Sequence, residues 1–363
     1  MKILEPFTFK SSTFQNRVVM APMNRRRSFN NIPSASMSVY YAQRATAGLI
    51  ITDNIAVSSD GVGYLNTPGI YNNYQKEAWK PIIDAVHRRG GKIVAQLVHN
   101  GRIGHVSIQN NEPLVAPSVI QADDEIKTPD GEHRKMSLPR ELKTEEVRLY
   151  VDRFVEAAES AIEIGFDAVE IHAAHGFLID QFLNSNTNFR EDIYGGNREN
   201  RIRFLSDIMK KVVSSIGPDK TGIRLSPFKT FYGAGSYQDE KGTHLDVVKL
   251  LAELDILYIH FSNEFVDGAP SLTKEYLLEV REIYSNIIMS AGGYTLEFGN
   301  LLIEEGFVDM IAYGRPFISN PDLVFRFKNN VPLAEWDEST FYQGGNVGFI
   351  DYPTFLESIK NKK

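Results

Sequence analysis

Cysteine is absent from all 363 residues, which removes disulfides, thiolate metal sites and any thiol nucleophile in one step. Long hydrophobic runs are missing too. No stretch approaches the ~20 apolar residues of a membrane span, and the start Met1-Lys2-Ile3-Leu4-Glu5-Pro6 lacks the apolar core of a signal peptide. Positive charge is in deficit: 39 Lys and Arg stand against 46 Asp and Glu, a formal net charge of -7. That balance argues against general binding to nucleic acid or to an anionic membrane, and Arg25-Arg26-Arg27 and Arg88-Arg89 are too short to reverse it. A cytoplasmic protein acting on small molecules is expected, as a monomer or small homo-oligomer.

What is present is an alternation. Short, apolar, β-branched runs occur at Arg17–Pro22, Leu49–Ile55, Lys92–Leu97, Ala168–His172, Thr221–Leu225, Ile256–Phe261, Ile287–Ala291 and Met310–Tyr313. Amphipathic segments follow them at Ser36–Ala45, Tyr74–Arg88, Glu145–Ile164, Arg198–Ile216, Leu245–Leu254, Lys274–Ile283, Leu296–Glu305 and Asp322–Lys328. Strands apolar on both faces and separated by helices form parallel βαβ units covered by helices. An open dinucleotide-binding sheet would need Gly-x-Gly-x-x-Gly after its first strand, where Ala21-Pro22-Met23-Asn24 stands instead. Eight repeats therefore predict an α/β fold, a (β/α)8 TIM barrel, with residues 1–363 as a single domain. The segments Gly101–Lys143 and Asn184–Asn197 exceed ordinary connectors and are expected to rise over the C-terminal face, where barrel active sites lie. The tail Lys360–Lys363 is expected to fray.

In a barrel the C-terminal strand ends share one mouth, and here they are polar. His172 and His175 stand where the fourth strand gives way to a loop, so two ring N–H groups can meet an oxygen that gains negative charge in a reaction. Structural histidines are the plainer reading. A zinc pair is another, although metalloprotease pairs use His-Glu-x-x-His on a helix rather than His172-Ala173-Ala174-His175 beside a strand. Gly292-Gly293 after strand seven and Gly314-Arg315 after strand eight supply free backbone N–H groups and a guanidinium, as a barrel phosphate site requires; plain turn-making is the alternative. Gln96 both donates and accepts, which suits the amide edge of a heterocycle. Arg224 carries a permanent charge that would favour a reduced flavin, or else forms a structural ion pair.

Taken in chain order, the strand ends resemble the Old Yellow Enzyme family, the FMN-dependent ene reductases. The resemblance rests on Ala21-Pro22-Met23-Asn24-Arg25, Gln96-Leu97-Val98-His99-Asn100-Gly101-Arg102, His172-Ala173-Ala174-His175-Gly176, Asn188-Phe189-Arg190-Glu191-Asp192-Ile193-Tyr194-Gly195-Gly196-Asn197, Gly222-Ile223-Arg224-Leu225-Ser226-Pro227, Ala312-Tyr313-Gly314-Arg315-Pro316 and Asn320-Pro321-Asp322-Leu323. It implies FMN held by Pro22, Met23, Asn24, Asn54, Gln96, Arg224 and Ala291, with Gly292, Gly293, Gly314 and Arg315 on the phosphate. It implies His172 and His175 on the carbonyl or nitro oxygen of an activated alkene, and a substrate wall of Tyr64, Phe177, Tyr232 and Tyr342. NADPH or NADH would reduce the flavin and leave before the alkene enters.

Three positions depart from the family pattern. Phe177 stands where a tyrosine usually protonates the α-carbon, and phenylalanine has no proton to give. Asn24 replaces a common threonine, and Val98 a common tryptophan, which is expected to enlarge the pocket on one side. With Phe177, the proton comes from water or from a hydroxyl such as Tyr64, Tyr232 or Tyr342. Alternatives are a redox-neutral alkene isomerase, and a flavin-binding protein without physiological turnover. Arg134 and Lys135 are candidates for a 2′-phosphate contact or simply a solvated loop.

Overall fold

Eight parallel strands pair in sequence and close on themselves: β1 (Val18–Met20), β2 (Leu49–Ala56), β3 (Ile93–Val98), β4 (Ala168–Ala173), β5 (Thr221–Leu225), β6 (Tyr258–Ser262), β7 (Ile287–Ala291) and β8 (Met310–Tyr313), with β8 pairing back onto β1. The chain is thus a (β/α)8 barrel. The computed structural model describes residues 1–266 and 269–360, so Asn361–Lys363 of the tail expected to fray lie outside the described residues. Around the barrel run α1 (Ser36–Gln43), α2 (Asn73–His87), α3 (Thr144–Glu163), α4 (Leu178–Leu183), α5 (Arg198–Ile216), α6 (Glu240–Glu253), α7 (Lys274–Ile283), α8 (Leu296–Glu304), α9 (Arg315–Ser319), α10 (Leu323–Asn329) and α11 (Phe355–Lys360). All eight strand positions follow the sequence expectation. The helices not foreseen are α4, α9 and α11, of five or six residues each, too short to show a helical period. So β4 is followed first by a short helix, and only then by the long connector through Asn197.

Local chemistry starts several of these helices. Asn72, Asn197, Thr273 and Thr295 each accept a backbone N–H three residues on, closing the first turns of α2, α5, α7 and α8. The outward residues of the strands, among them Ile50, Ile171, Ile223 and Ile259, pack in one continuous core with the inner faces of the helices.

The inward residues form a second, smaller core. Val19, Leu49, Ile51, Val94, Ala168, Ile287, Met289 and Met310 fill the lower barrel together with Phe14. The N-terminal hairpin, Phe7–Phe9 paired with Ser12–Phe14, plugs this end; Phe7 and Phe14 stack at 5.9 Å and the Arg17 guanidinium lies 4.0 Å from the Phe7 ring. At the opposite end the excursion between β3 and α3 carries a parallel pair, Val115–Ala116 with Arg140–Glu141, and a hairpin, Glu125–Lys127 with His133–Lys135. Among the described residues no helix is long and apolar enough to cross a membrane.

Candidate active site

The upper barrel interior is polar, and strand periodicity explains which residues share it. Alternation puts Glu170 and His172 of β4 on one face. Register then sets Gln96 beside Glu170, Arg224 beside His172, and His260 beside Arg224. Glu170 is fully buried and accepts from Gln96 Nε2 at 2.6 Å and from His260 Nδ1 at 2.9 Å. Burial raises its pKa, but the opposing pull of His260, then Arg224 and the Gln96 hydrogen bond, keeps the carboxyl below its usual range. Beside it, in register on β5, Gly222 makes room for Tyr258: a Cβ on Gly222 would lie 2.3 Å from the tyrosine Cζ.

This layer is incompletely satisfied. Gln96 Oε1, His172 Nδ1, Arg224 Nε and His260 Nε2 are buried without a hydrogen-bond partner among the described residues. Each such atom costs ~1–3 kcal/mol, and native cores keep few of them. Gathered at adjacent strand ends, they match the edge of a flat heterocycle that both donates and accepts. Burial lowers the Arg224 pKa to about 10, with Glu170 opposing the shift, so the guanidinium remains charged at neutral pH.

Two successive left-handed residues, His175 (φ 59) and Gly176 (φ 71), carry the chain from β4 into α4. His175 pays no visible penalty in hydrogen bonding: its N–H donates to Ser226 Oγ at 2.8 Å, and its Nε2 lies 2.8 Å from Ser262 Oγ. The turn brings the His172 and His175 rings to 5.1 Å and sets Phe177 4.8 Å from His172. Burial, then the charge of Arg224, pushes both imidazoles well below the ordinary histidine range. They are therefore neutral at pH 7, each able to donate one N–H to a substrate oxygen. For the zinc reading, no third ligand converges on them: among the described residues no group of three His, Cys, Asp or Glu is placed to hold a metal.

After β7, Ala291 is followed by Gly292 (φ 136), where a Cβ would lie 2.1 Å from the Asn263 carbonyl oxygen, and by Gly293 (φ 82). Both positions need glycine. Gly314 caps α9 beside the Met23 thioether, and Arg315 is exposed with no ion pair among the described residues. Pro22 and Met23 are half-buried, as is Asn54, which stands in register with Gln96. Two expected cofactor contacts are already engaged in part. The Asn24 amide donates to Thr67 Oγ1 at 2.9 Å and its oxygen accepts from the Arg26 N–H, while the Gln96 amide nitrogen is held by Glu170, leaving its oxygen free.

The expected substrate wall divides. The Tyr64 and Tyr232 hydroxyls share a 2.7 Å hydrogen bond, and both rings pack against a cluster of Val98, Ile103, Ala122, Ile126, Met136 and Phe177. Val98 is fully buried in that cluster, so excursion side chains cover it. Tyr342 is 55% exposed, on a C-terminal segment tied to the barrel by Arg25 and Arg27. Arg134 pairs with Asp130 in an exposed hairpin, beside exposed Lys135. Sequence reasoning passed over Glu170, His260, Ser262 and Phe231, the last 5.1 Å from His175. Glu170 had a signal: a carboxylate in an apolar strand, two residues before His172 and so on its face.

Comparison with known proteins gives a consistent answer. The family described as NADH:flavin oxidoreductase / NADH oxidase matches residues 2–334. The 12-oxophytodienoate reductase 1 of Oryza sativa subsp. japonica is 41% identical over 363 residues, covering 98% of this chain and 94% of that protein. Among solved structures, morphinone reductase superposes with a TM-score of 0.94 at 35% identity, covering 98% of this chain and 97% of that one. The Old Yellow Enzyme homologue from Zymomonas mobilis gives a TM-score of 0.93 at 37% identity, covering 98% and 100%.

Proposed function

The chain belongs to the NADH:flavin oxidoreductase / NADH oxidase family, the Old Yellow Enzyme type of NAD(P)H-dependent FMN oxidoreductase, and from that premise we propose that residues 1–363 act as one unit that reduces the C=C bond of α,β-unsaturated carbonyl or nitro compounds. The observation that carries this reading is the pair of neutral imidazoles, His172 and His175, beside a layer of unpartnered buried polar atoms. FMN, when bound, supplies the hydride that NAD(P)H brings. Gln96 and Arg224 would hold its ring edge, with Pro22, Met23, Asn24, Asn54 and Ala291 around it. Gly292, Gly293, Gly314 and Arg315 would hold its phosphate. The donors on His172 and His175 orient the substrate oxygen and stabilise the charge it gains as the β-carbon is reduced. The name 12-oxophytodienoate reductase in a relative fits a cyclic enone as one such substrate.

Phe177 gives no proton, so the α-carbon must be protonated by another group. The Tyr64–Tyr232 pair supplies hydroxyls in the same aromatic cluster as Phe177. Burial lifts both phenols above their usual range, so they stay protonated at neutral pH. The same phenylalanine favours a second reading, a redox-neutral isomerase, in which substrate is converted without net consumption of NAD(P)H. Anaerobic stopped-flow separates the two: we expect loss of flavin absorbance with NAD(P)H and its return with one equivalent of enone, one nicotinamide oxidised per alkene reduced. Conversion without nicotinamide consumption would establish the isomerase, and no bleaching by either nicotinamide would reject both. In the same assay Phe177→Tyr is expected to speed alkene reduction by ~10- to 100-fold. Unchanged rate and stereochemistry would defeat the claim that proton delivery is compromised.

A further inference from the structure

Three consecutive arginines follow β1, and the fold uses them differently. Arg25 and Arg27 are buried, and their guanidiniums donate to carbonyls of the C-terminal segment, Arg25 to Phe341 at 2.9 Å and Gly348 at 2.7 Å, Arg27 to Thr340 at 2.7 Å and Gly345 at 3.0 Å. Arg26 between them is half-buried and left-handed (φ 52), its N–H pinned by Asn24 Oδ1 at 2.9 Å. Its guanidinium stands 5.1 Å from the Tyr64 ring centroid and 4.7 Å from that of Tyr342. Among the described residues it has neither an ion pair nor a side-chain hydrogen bond.

A half-buried cation held by two aromatic faces keeps its hydrogen-bonding edge free, because stacking uses the flat face of the guanidinium and leaves the N–H fork unmet. The surroundings add to the field. Arg26 lines a cleft of about 770 Å³ together with Arg27, Lys127, His133 and Tyr342, in which Glu338 is the acidic lining residue. On its other side Tyr64 leads, through Tyr232, into the cluster that contains Phe177, and Phe177 touches His172. The hydrogen-bonded pair Tyr64–Tyr232 and then Phe177 therefore stand between the free guanidinium and the imidazole pair.

We propose that Arg26 is an anion subsite at the rim of the active site, taking a carboxylate or phosphate oxyanion of the molecule that enters over His172 and His175. This rests on the ene-reductase reading above. The oxyanion belongs either to the substrate, so that the preferred alkenes carry an acid group away from the double bond, or to the phosphates of the nicotinamide dinucleotide.

The test uses the FMN-loaded enzyme and a matched pair: an enone with a terminal carboxylate and its methyl ester. Wild type is expected to show a higher kcat/KM for the acid, and Arg26→Gln to lower the acid-to-ester ratio roughly tenfold or more, the weight of a hydrogen bond to a charged group. Arg26→Lys should retain most of the ratio. Titration of flavin absorbance with acid and ester gives the same comparison as binding alone. If instead Arg26→Gln leaves the ratio unchanged but weakens NADPH or NADH in the reductive half-reaction by a similar factor, the oxyanion is the nicotinamide's phosphate. Neither the ratio nor the nicotinamide affinity moving would overturn the proposal. Should Arg26→Gln fail to fold, the salt dependence of wild type decides: the ratio or the nicotinamide affinity must fall as ionic strength rises, and a flat response in both rejects the subsite. If neither the acid nor its methyl ester is reduced, it is the ene-reductase reading that fails.

Discussion

The two ends of the barrel interior are built from opposite materials. At the N-terminal end Val19, Leu49, Ile51, Val94, Met289 and Met310 meet under a plug of Phe7 and Phe14, and burial of apolar surface dominates the contact. Further up the barrel, on β3 to β6, Gln96, Glu170, His172, Arg224 and His260 fill the interior with charge and with atoms that lack hydrogen-bond partners among the described residues; on β3 the change from Val94 to Gln96 takes two residues. The lower layer maximises stability. The upper one gives stability up, holding polar groups in place by register with part of their bonding capacity unused. One strand serves both ends because alternation repeats every two residues, while the environment changes along its length.

The comparison breaks most sharply if function moves with the lower layer or stability with the upper. Replacing either His172 or His175 by Ala is expected to lower kcat/KM for an activated alkene by ~10²- to 10³-fold, the usual loss on removing one donor to a developing oxyanion, with an unchanged unfolding midpoint. A loss below tenfold in both variants would place oxygen recognition elsewhere. Phe14→Ala, in the lower layer, should cost ~3 kcal/mol in denaturant unfolding while kcat/KM of the folded protein stays within twofold. Loss of activity without loss of stability would show that the plug reaches the site.

The smallest effect concerns pH. Asp53 of β2 is buried, and burial raises its pKa to about 7 against the opposing hydrogen bond and charge of Arg25. The folded state therefore keeps a proton that the unfolded chain releases near 3.8, so this group's contribution is full below that value and is lost as pH rises to about 7. The buried histidines act in the opposite sense: their depressed pKa values make stability fall as pH drops below about 6.5. Asp53→Asn isolates the carboxyl term. Its stability relative to wild type should increase between pH 5 and pH 8, read from unfolding curves at the two values; a pH-independent difference would show that Asp53 is ionised throughout.

Much of this architecture is legible in the sequence. The eight strands announce themselves because a buried parallel strand needs apolar, β-branched residues on both faces, and Thr221–Leu225, Ile287–Ala291 and Met310–Tyr313 match their predicted spans at both ends. The short helices do not, since Leu178–Leu183 and Arg315–Ser319 are under two turns. Nor does the Tyr64–Tyr232 bond, whose partners are 168 residues apart. Nothing in Arg25-Arg26-Arg27 tells which guanidinium is free: carbonyls from residues 340–348 satisfy the outer two, and only the closed chain brings them there.

The sequence by itself determined the barrel, the polar character of its mouth and the absence of a proton on Phe177, because periodicity and side-chain chemistry are local properties. Tertiary structure alone decided that Gln96 and His260 lean on Glu170, that His172 and His175 are neutral, and that the Arg26 guanidinium has no ion pair or hydrogen bond among the described residues. Those outcomes depend on burial and on neighbours distant in the chain, which set both hydrogen-bond partners and protonation.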